Sequence, residues 1–87
     1  MPDNTNIVPG EYRDIDNNKF VFDNNQLLIE IYYDTGDILD YKYIWKKNKF
    51  MNETYNDFFE IEYCDKDSVL LITNDSMWIT LHKNLKD

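Results

Sequence analysis

The chain of 87 residues contains no alanine, and it has only two glycines, two prolines, one cysteine and one histidine. Each shortage removes a possibility. Alanine is the strongest helix former, so a chain without it has little to sustain helices. The single cysteine, Cys64, excludes an internal disulfide, whereas small secreted domains usually rely on paired cysteines. One histidine, His82, and one thiol are too few ligands for a structural zinc site. The continuously apolar stretch Val69-Leu70-Leu71-Ile72 is far shorter than the roughly 20 residues that span a bilayer as a helix. Neither a glycine-rich phosphate loop nor the strained serine turn of the hydrolases occurs.

What is present is aromatic and alternating. Seven Tyr, five Phe and two Trp suit pleated strands, where bulky side chains pack across neighbours. In Gln26–Tyr33, the set Leu27, Ile29, Ile31 and Tyr33 shares one face. In Ile38–Trp45 it is Leu39, Tyr41, Tyr43 and Trp45; in Phe58–Tyr63 it is Phe59, Ile61 and Tyr63. Met77, Ile79 and Leu81 alternate in the same way near the end, and Phe20 and Phe22 near the start. A period of two marks half-buried strands. Val69–Ile72, apolar throughout, reads as a strand covered on both sides. Turn-competent clusters separate these runs: Asp16-Asn17-Asn18, Asp23-Asn24-Asn25, Asp34-Thr35-Gly36-Asp37, Lys46-Lys47-Asn48, Asp65-Lys66-Asp67 and Thr73-Asn74-Asp75-Ser76. Asn and Asp tolerate left-handed conformations, which explains how the chain manages with so little glycine. Met51–Asp57 reads as a strand end, a loop or one helical turn.

The expected fold is therefore all-β: one domain over residues 1–87, an antiparallel meander of about 6–8 short strands forming a small barrel or sandwich. The Gln26–Tyr33 and Ile38–Trp45 strands should form the longest hairpin. Residues 1–6 are polar and expected to fray.

Charge narrows the partners. Seventeen acidic against nine basic residues give a net charge of −8 and a pI near 4.4. Such a surface disfavours direct nucleic-acid binding and anionic membranes and favours cationic partners. No signal peptide is visible, so a cytoplasmic location is expected, in a bacterium or the host cell of a phage; export would require a leader already removed.

Catalytic groups are sparse. His82 alternates to the polar side of the last strand. Cys64 lies between Glu62 and Asp65, and a free cysteine mostly behaves as a small buried hydrophobe. Asp14-Ile15-Asp16-Asn17-Asn18 has the D-x-D-x-N opening of a calcium loop, but Lys19 stands where glycine is needed and Asn25 where the bidentate glutamate is needed. Glu60 and Glu62, spaced for one strand face, lack the apolar pocket that a general acid requires. No enzyme activity, metal or cofactor is expected. Asn52-Glu53-Thr54 and Asn74-Asp75-Ser76 match glycosylation sequons, as chance allows in so Asn-rich a chain.

Two surface features remain. Lys42, Lys46, Lys47 and Lys49 cluster at one end of the main hairpin. Glu53, Asp57, Glu60, Glu62, Asp65 and Asp67 form an acidic stretch, and Tyr32, Phe58 and Trp78 fall on the polar sides of their strands. Charges guard edge strands against unwanted pairing, but carboxylates beside outward aromatics are also what a protein interface uses. Glu53, Asp57, Phe58, Glu60, Glu62, Asp65, Asp67, Tyr32 and Trp78 are accordingly the expected partner-binding residues.

Gly10-Glu11-Tyr12 resembles the G-x-W opening motif of bacterial lipocalin-like small barrels, with Tyr where Trp is usual. The resemblance extends through the F-x-F strand Phe20-Val21-Phe22, the aromatic strand Tyr41-Lys42-Tyr43-Ile44-Trp45, and the closing segments Val69–Ile72 and Met77–Leu81. It implies a barrel-forming meander.

Three functions follow as expectations. The first is a small acidic non-enzymatic binding protein, an inhibitor or immunity-type protein such as phages encode against host defence, which blocks a basic surface of a macromolecular partner. The second is a lipocalin-like domain holding a small apolar ligand among Tyr41, Tyr43, Trp45, Phe59 and Ile79. The third is an assembly subunit that adds an edge strand to a partner. A monomer or small homo-oligomer is expected.

Overall fold

The computed structural model describes residues 7–23 and 25–83; the expected fraying of residues 1–6, and Asn24 of one turn, lie outside them. Eight strands follow in order: β1 (Gly10–Arg13), β2 (Lys19–Asp23), β3 (Gln26–Tyr32), β4 (Ile38–Lys46), β5 (Lys49–Asn52), β6 (Asp57–Cys64), β7 (Ser68–Thr73) and β8 (Trp78–Lys83). Each pairs antiparallel with its neighbours in sequence, and β8 returns to β1, closing a barrel. The meander is all-β, and the alternation of apolar residues is what drives it: one face of each strand turns to the axis.

The turns work as their residues dictate. Asn17, Asn48 and Asn56 adopt positive φ, at 65°, 67° and 58°. Lys47 does so too, at 56°, so Lys47 and Asn48 form a two-residue hairpin loop between the paired Lys46 and Lys49 in the type I′ sense that matches strand twist. Asp14 organises the β1–β2 turn. Its Oδ1 accepts the main-chain N–H of Asp16 and Asn18, and its Oδ2 accepts Asn18 Nδ2. The D-x-D-x-N segment is thus a turn closed by its own carboxylate. The open segment Met51–Asp57 resolves into the end of β5, a turn over residues 53–56, and the start of β6.

Tyr12, Leu27, Phe50, Val69, Leu71 and Leu81 are fully buried. Rings fill the axis: Tyr12 stands edge-on to Phe22 at 5.4 Å, Phe22 meets Phe50 at 5.5 Å, and Phe50 meets Trp45 at 4.9 Å. A barrel of eight strands has an interior about wide enough for side chains alone. Tyr12 directs its hydroxyl out of this core to the Val8 carbonyl, 2.7 Å away. Gly10, at φ 141°, lies where an added Cβ would stand 2.6 Å from Lys83 Nζ, and that lysine reaches over the Tyr12 ring and bonds the Pro9 carbonyl. The positive φ favours glycine at position 10, whereas the end of the Lys83 side chain is free to move aside.

Four expected inward residues lie outside the core, each for a physical reason. Tyr63 is exposed because a β-bulge between Ile61 and Tyr63 inserts Glu62 and reverses the alternation; Cys64, opposite Val69, turns inward instead. Tyr33 and Leu39 are exposed because the β3–β4 hairpin outruns its neighbours: β2 pairs with β3 only up to Glu30, and β5 with β4 only from Ile44. Met77 is exposed because it belongs to the β7–β8 turn, where its carbonyl accepts the Thr73 N–H. Val69–Ile72 is covered on one side only. Val69 and Leu71 are buried, while Leu70 and Ile72 are half-buried on the outside of a single-layered barrel.

Candidate protein-interaction surface

The outer face of β6, β7 and β8 is built by two registers. Ile72 is the cross-strand partner of Glu60 on one side and of Trp78 on the other. Leu70 likewise stands between Tyr63 and Thr80. Directly opposed side chains in an antiparallel sheet sit roughly 5 Å apart at Cβ, so Glu60, Ile72 and Trp78 form one row and Tyr63, Leu70 and Thr80 the next. Phe58 extends the same face on β6. Trp78 is 59% exposed and Tyr63 is 56% exposed. The result is an apolar, aromatic strip with carboxylates at its margin.

The expected residues divide when placed on this frame. Phe58, Glu60 and Trp78 come together. Phe58 lies under the Lys49 ammonium, whose Nζ is 4.2 Å from the ring centre, and the same lysine is 3.9 Å from Glu60. Glu62, the bulge residue, sits beside them. Glu60, Glu62, Tyr63 and Cys64 join Trp45, Asn48 and Ile61 around an open cleft of about 540 Å³, where β6 runs past the tip of the β4–β5 hairpin. Asp57 begins β6 and is half-buried.

The carboxylates of Glu53 and Asp65 are engaged within the fold. Glu53 is bonded to Lys46 at 2.6 Å, and that contact holds its carboxyl below the ordinary range. Both side chains are more than half exposed, so the pair adds little stability. Asp65 shapes the β6–β7 turn: its Oδ1 accepts the N–H of Asp67 and of Ser68 at 2.8 Å each. These bonds lower its pKa, with the Ser68 and Tyr63 hydroxyls adding to the effect. Asp67 serves the same turn through its main chain, and its carbonyl accepts the Lys83 N–H.

Tyr32 is elsewhere. It lies on β3, three strands away from β6, with its hydroxyl donating to Glu30 at 2.7 Å and the Arg13 guanidinium 6.0 Å from its ring centre. The bond from Tyr32, with Lys19 and Arg13 adding to it, lowers the Glu30 pKa; the same bond raises that of Tyr32, against the opposing charges of Arg13 and Lys19. Of the lysine cluster, Lys46 and Lys49 are engaged with Glu53 and Glu60. Asn52, the first residue of one sequon, is buried with both ends of its amide used, Oδ1 by the Tyr55 N–H and Nδ2 on the Lys42 carbonyl.

Ile72, Leu70 and Tyr63 belong to the strip and are not among the expected site residues. The first two carried a signal: four consecutive apolar residues in a chain with no helix to form a second layer. Tyr63 carried none, because a bulge leaves no mark in the alternation itself.

Among the described residues, no group of three or more His, Cys, Asp or Glu is arranged to hold a metal ion, and His82 is exposed on β8 opposite Arg13. Comparison with protein-family models, with curated proteins and with solved structures gave no match.

Proposed function

We propose that the protein is a non-enzymatic binding protein that docks on a basic surface of a macromolecular partner and blocks it, in the manner of an inhibitor or immunity protein. The observation that carries this reading is the Glu60–Ile72–Trp78 row. It joins a large rigid aromatic, an apolar strand face on which no strand among the described residues is layered, and a carboxylate border in a chain of net charge −8. Aromatic anchors supply affinity, while the surrounding charge steers approach and selects cationic partners. Glu62 and Asp57, which have no ion-pair partner among the described residues, are the carboxylates most available to it. Glu53 and Asp65, engaged within the fold, contribute less, and Tyr32 would belong to a separate contact.

The packing gives less support to a ligand carrier of the lipocalin-like kind, although a closed eight-stranded meander is compatible with that resemblance. Tyr43 meets Phe59 at a tilt with ring centres 4.8 Å apart, and Trp45 meets Phe50 edge-on at 4.9 Å, so side chains named as a ligand lining are in contact with the core.

Affinity capture from a bacterial lysate, with wild type and a Glu60→Lys/Glu62→Lys variant, tests the proposal. Basic proteins should be retained by the wild type and lost by the variant, and more so as salt is lowered. Recovery of the same proteins by both would remove this face from consideration.

A further inference from the structure

The β3–β4 hairpin has one capped edge and one uncapped edge. On the β3 side, pairing with β2 ends at Glu30, and the Asn18 carboxamide then takes the Tyr32 N–H at 2.9 Å. On the β4 side, β5 pairs only with Ile44, Trp45 and Lys46. Successive residues of a strand turn their N–H and C=O groups to opposite sides. The Tyr33 N–H donates to the Asp37 carbonyl and the Trp45 N–H to the Asn25 carbonyl, so the odd-numbered residues of β4 turn toward β3. The even-numbered ones turn away. The Lys42 carbonyl accepts Asn52 Nδ2 at 3.2 Å. The N–H and C=O of Ile38 and Asp40, and the N–H of Lys42, meet no strand among the described residues.

Edges of this kind are normally blunted by charged side chains, proline, a bulge or a covering loop, and here Asp40 and Lys42 are the charges on it. Ile38–Tyr43 has no proline, and the bulge falls on β6. Clefts flank the edge instead. One, of about 590 Å³, is lined by Tyr33, Asp37, Ile38 and Leu39 among others. Another, of about 380 Å³, includes Asp40, Lys42, Met51 and Tyr55. Ile38 is 54% exposed.

We propose that this edge is a second docking site, at which an extended, lysine- or arginine-bearing segment of a partner protein adds as a strand beside β4. Charge selects this occupant over a second copy of the chain. Two copies of a chain with net charge −8 repel one another. A cationic strand meets Asp37 and Asp40 favourably.

The test uses the full chain, isotopically labelled, and two synthetic peptides: one alternating lysine and valine, one alternating glutamate and valine. The lysine peptide should slow amide hydrogen exchange at Ile38, Asp40 and Lys42 about tenfold, the scale of one added hydrogen bond. Leu39 and Tyr41, already bonded to β3, should change little, and the glutamate peptide should have no effect. Asp40→Pro removes one outward N–H and leaves the β3 ladder intact; it should weaken lysine-peptide binding about tenfold, while Asp40→Asn keeps most of it. If Asp40→Pro fails to fold, the alternating exchange pattern in the wild type decides. Failure of the lysine peptide to bind, equal effects of both peptides, or changes confined to Phe58, Glu60 and Trp78 would each overturn the proposal. The last of these would leave the β6–β8 face standing.

Discussion

Asn18 places its side-chain oxygen 2.9 Å from the main-chain N–H of Tyr32, bridging two turns at the same end of the barrel. Asn18 is itself buried, and its amide nitrogen donates to Asp14. One side chain thus closes the β1–β2 turn and finishes the free end of β3. Asn18→Ala removes both bonds and strands the Tyr32 N–H, so it should lower stability by about 1–3 kcal/mol. Urea unfolding should show a lower midpoint with an unchanged slope. A midpoint equal to that of the wild type would mean that water replaces Asn18 at no cost.

The β4–β5 loop holds a correctable strain. Lys47 sits at φ 56°, a region that costs a residue with an ordinary side chain roughly 1 kcal/mol. Lys47→Asn should stabilise the fold by about 0.5–1 kcal/mol, because asparagine is at ease in that region and the side chain is exposed. Thermal unfolding measures it. A loss of stability would show that Lys47 makes a contribution beyond its backbone.

Burial, with Asp57 and Tyr41 adding to it, pushes the Tyr43 phenol up to about 12 from an ordinary 10.0. The folded-state value is raised, so the associated stability is fully present below about pH 10 and is lost as pH rises toward about 12. The loss should be on the order of 2 kcal/mol. Urea midpoints at about pH 9 and about pH 11 should differ clearly in the wild type and differ less in Tyr43→Phe. Equal pH sensitivity in both would place the alkaline transition on another group.

Much of this architecture is legible in the sequence because period-two patterning reports burial directly. Leu27 and Ile29, Phe20 and Phe22, and Ile79 and Leu81 all point where alternation places them. The same logic fails at Tyr63, where Glu62 adds a residue to one strand alone, and at Tyr33 and Leu39, where alternation is intact but the hairpin has left the barrel. Patterning states which residues share a face; it does not say how far neighbouring strands extend to cover that face. The acidic stretch was visible as a run. Glu53 is set apart from Glu60 and Glu62 by its contact with Lys46 seven residues away, and Asp65 by the turn it closes with Asp67 and Ser68. β5 was hidden because Lys49–Asn52 is too short to show a period.

Hydroxyl-radical footprinting of the protein, alone and bound to a basic protein retained in the capture experiment, addresses the β6–β8 face most directly. Trp78 and Tyr63, both more than half exposed, should oxidise readily in the free protein and be protected in the complex, while Tyr55 on the far side of β5 stays reactive. Unchanged oxidation of Trp78 and Tyr63 with the partner in place would contradict docking at this face.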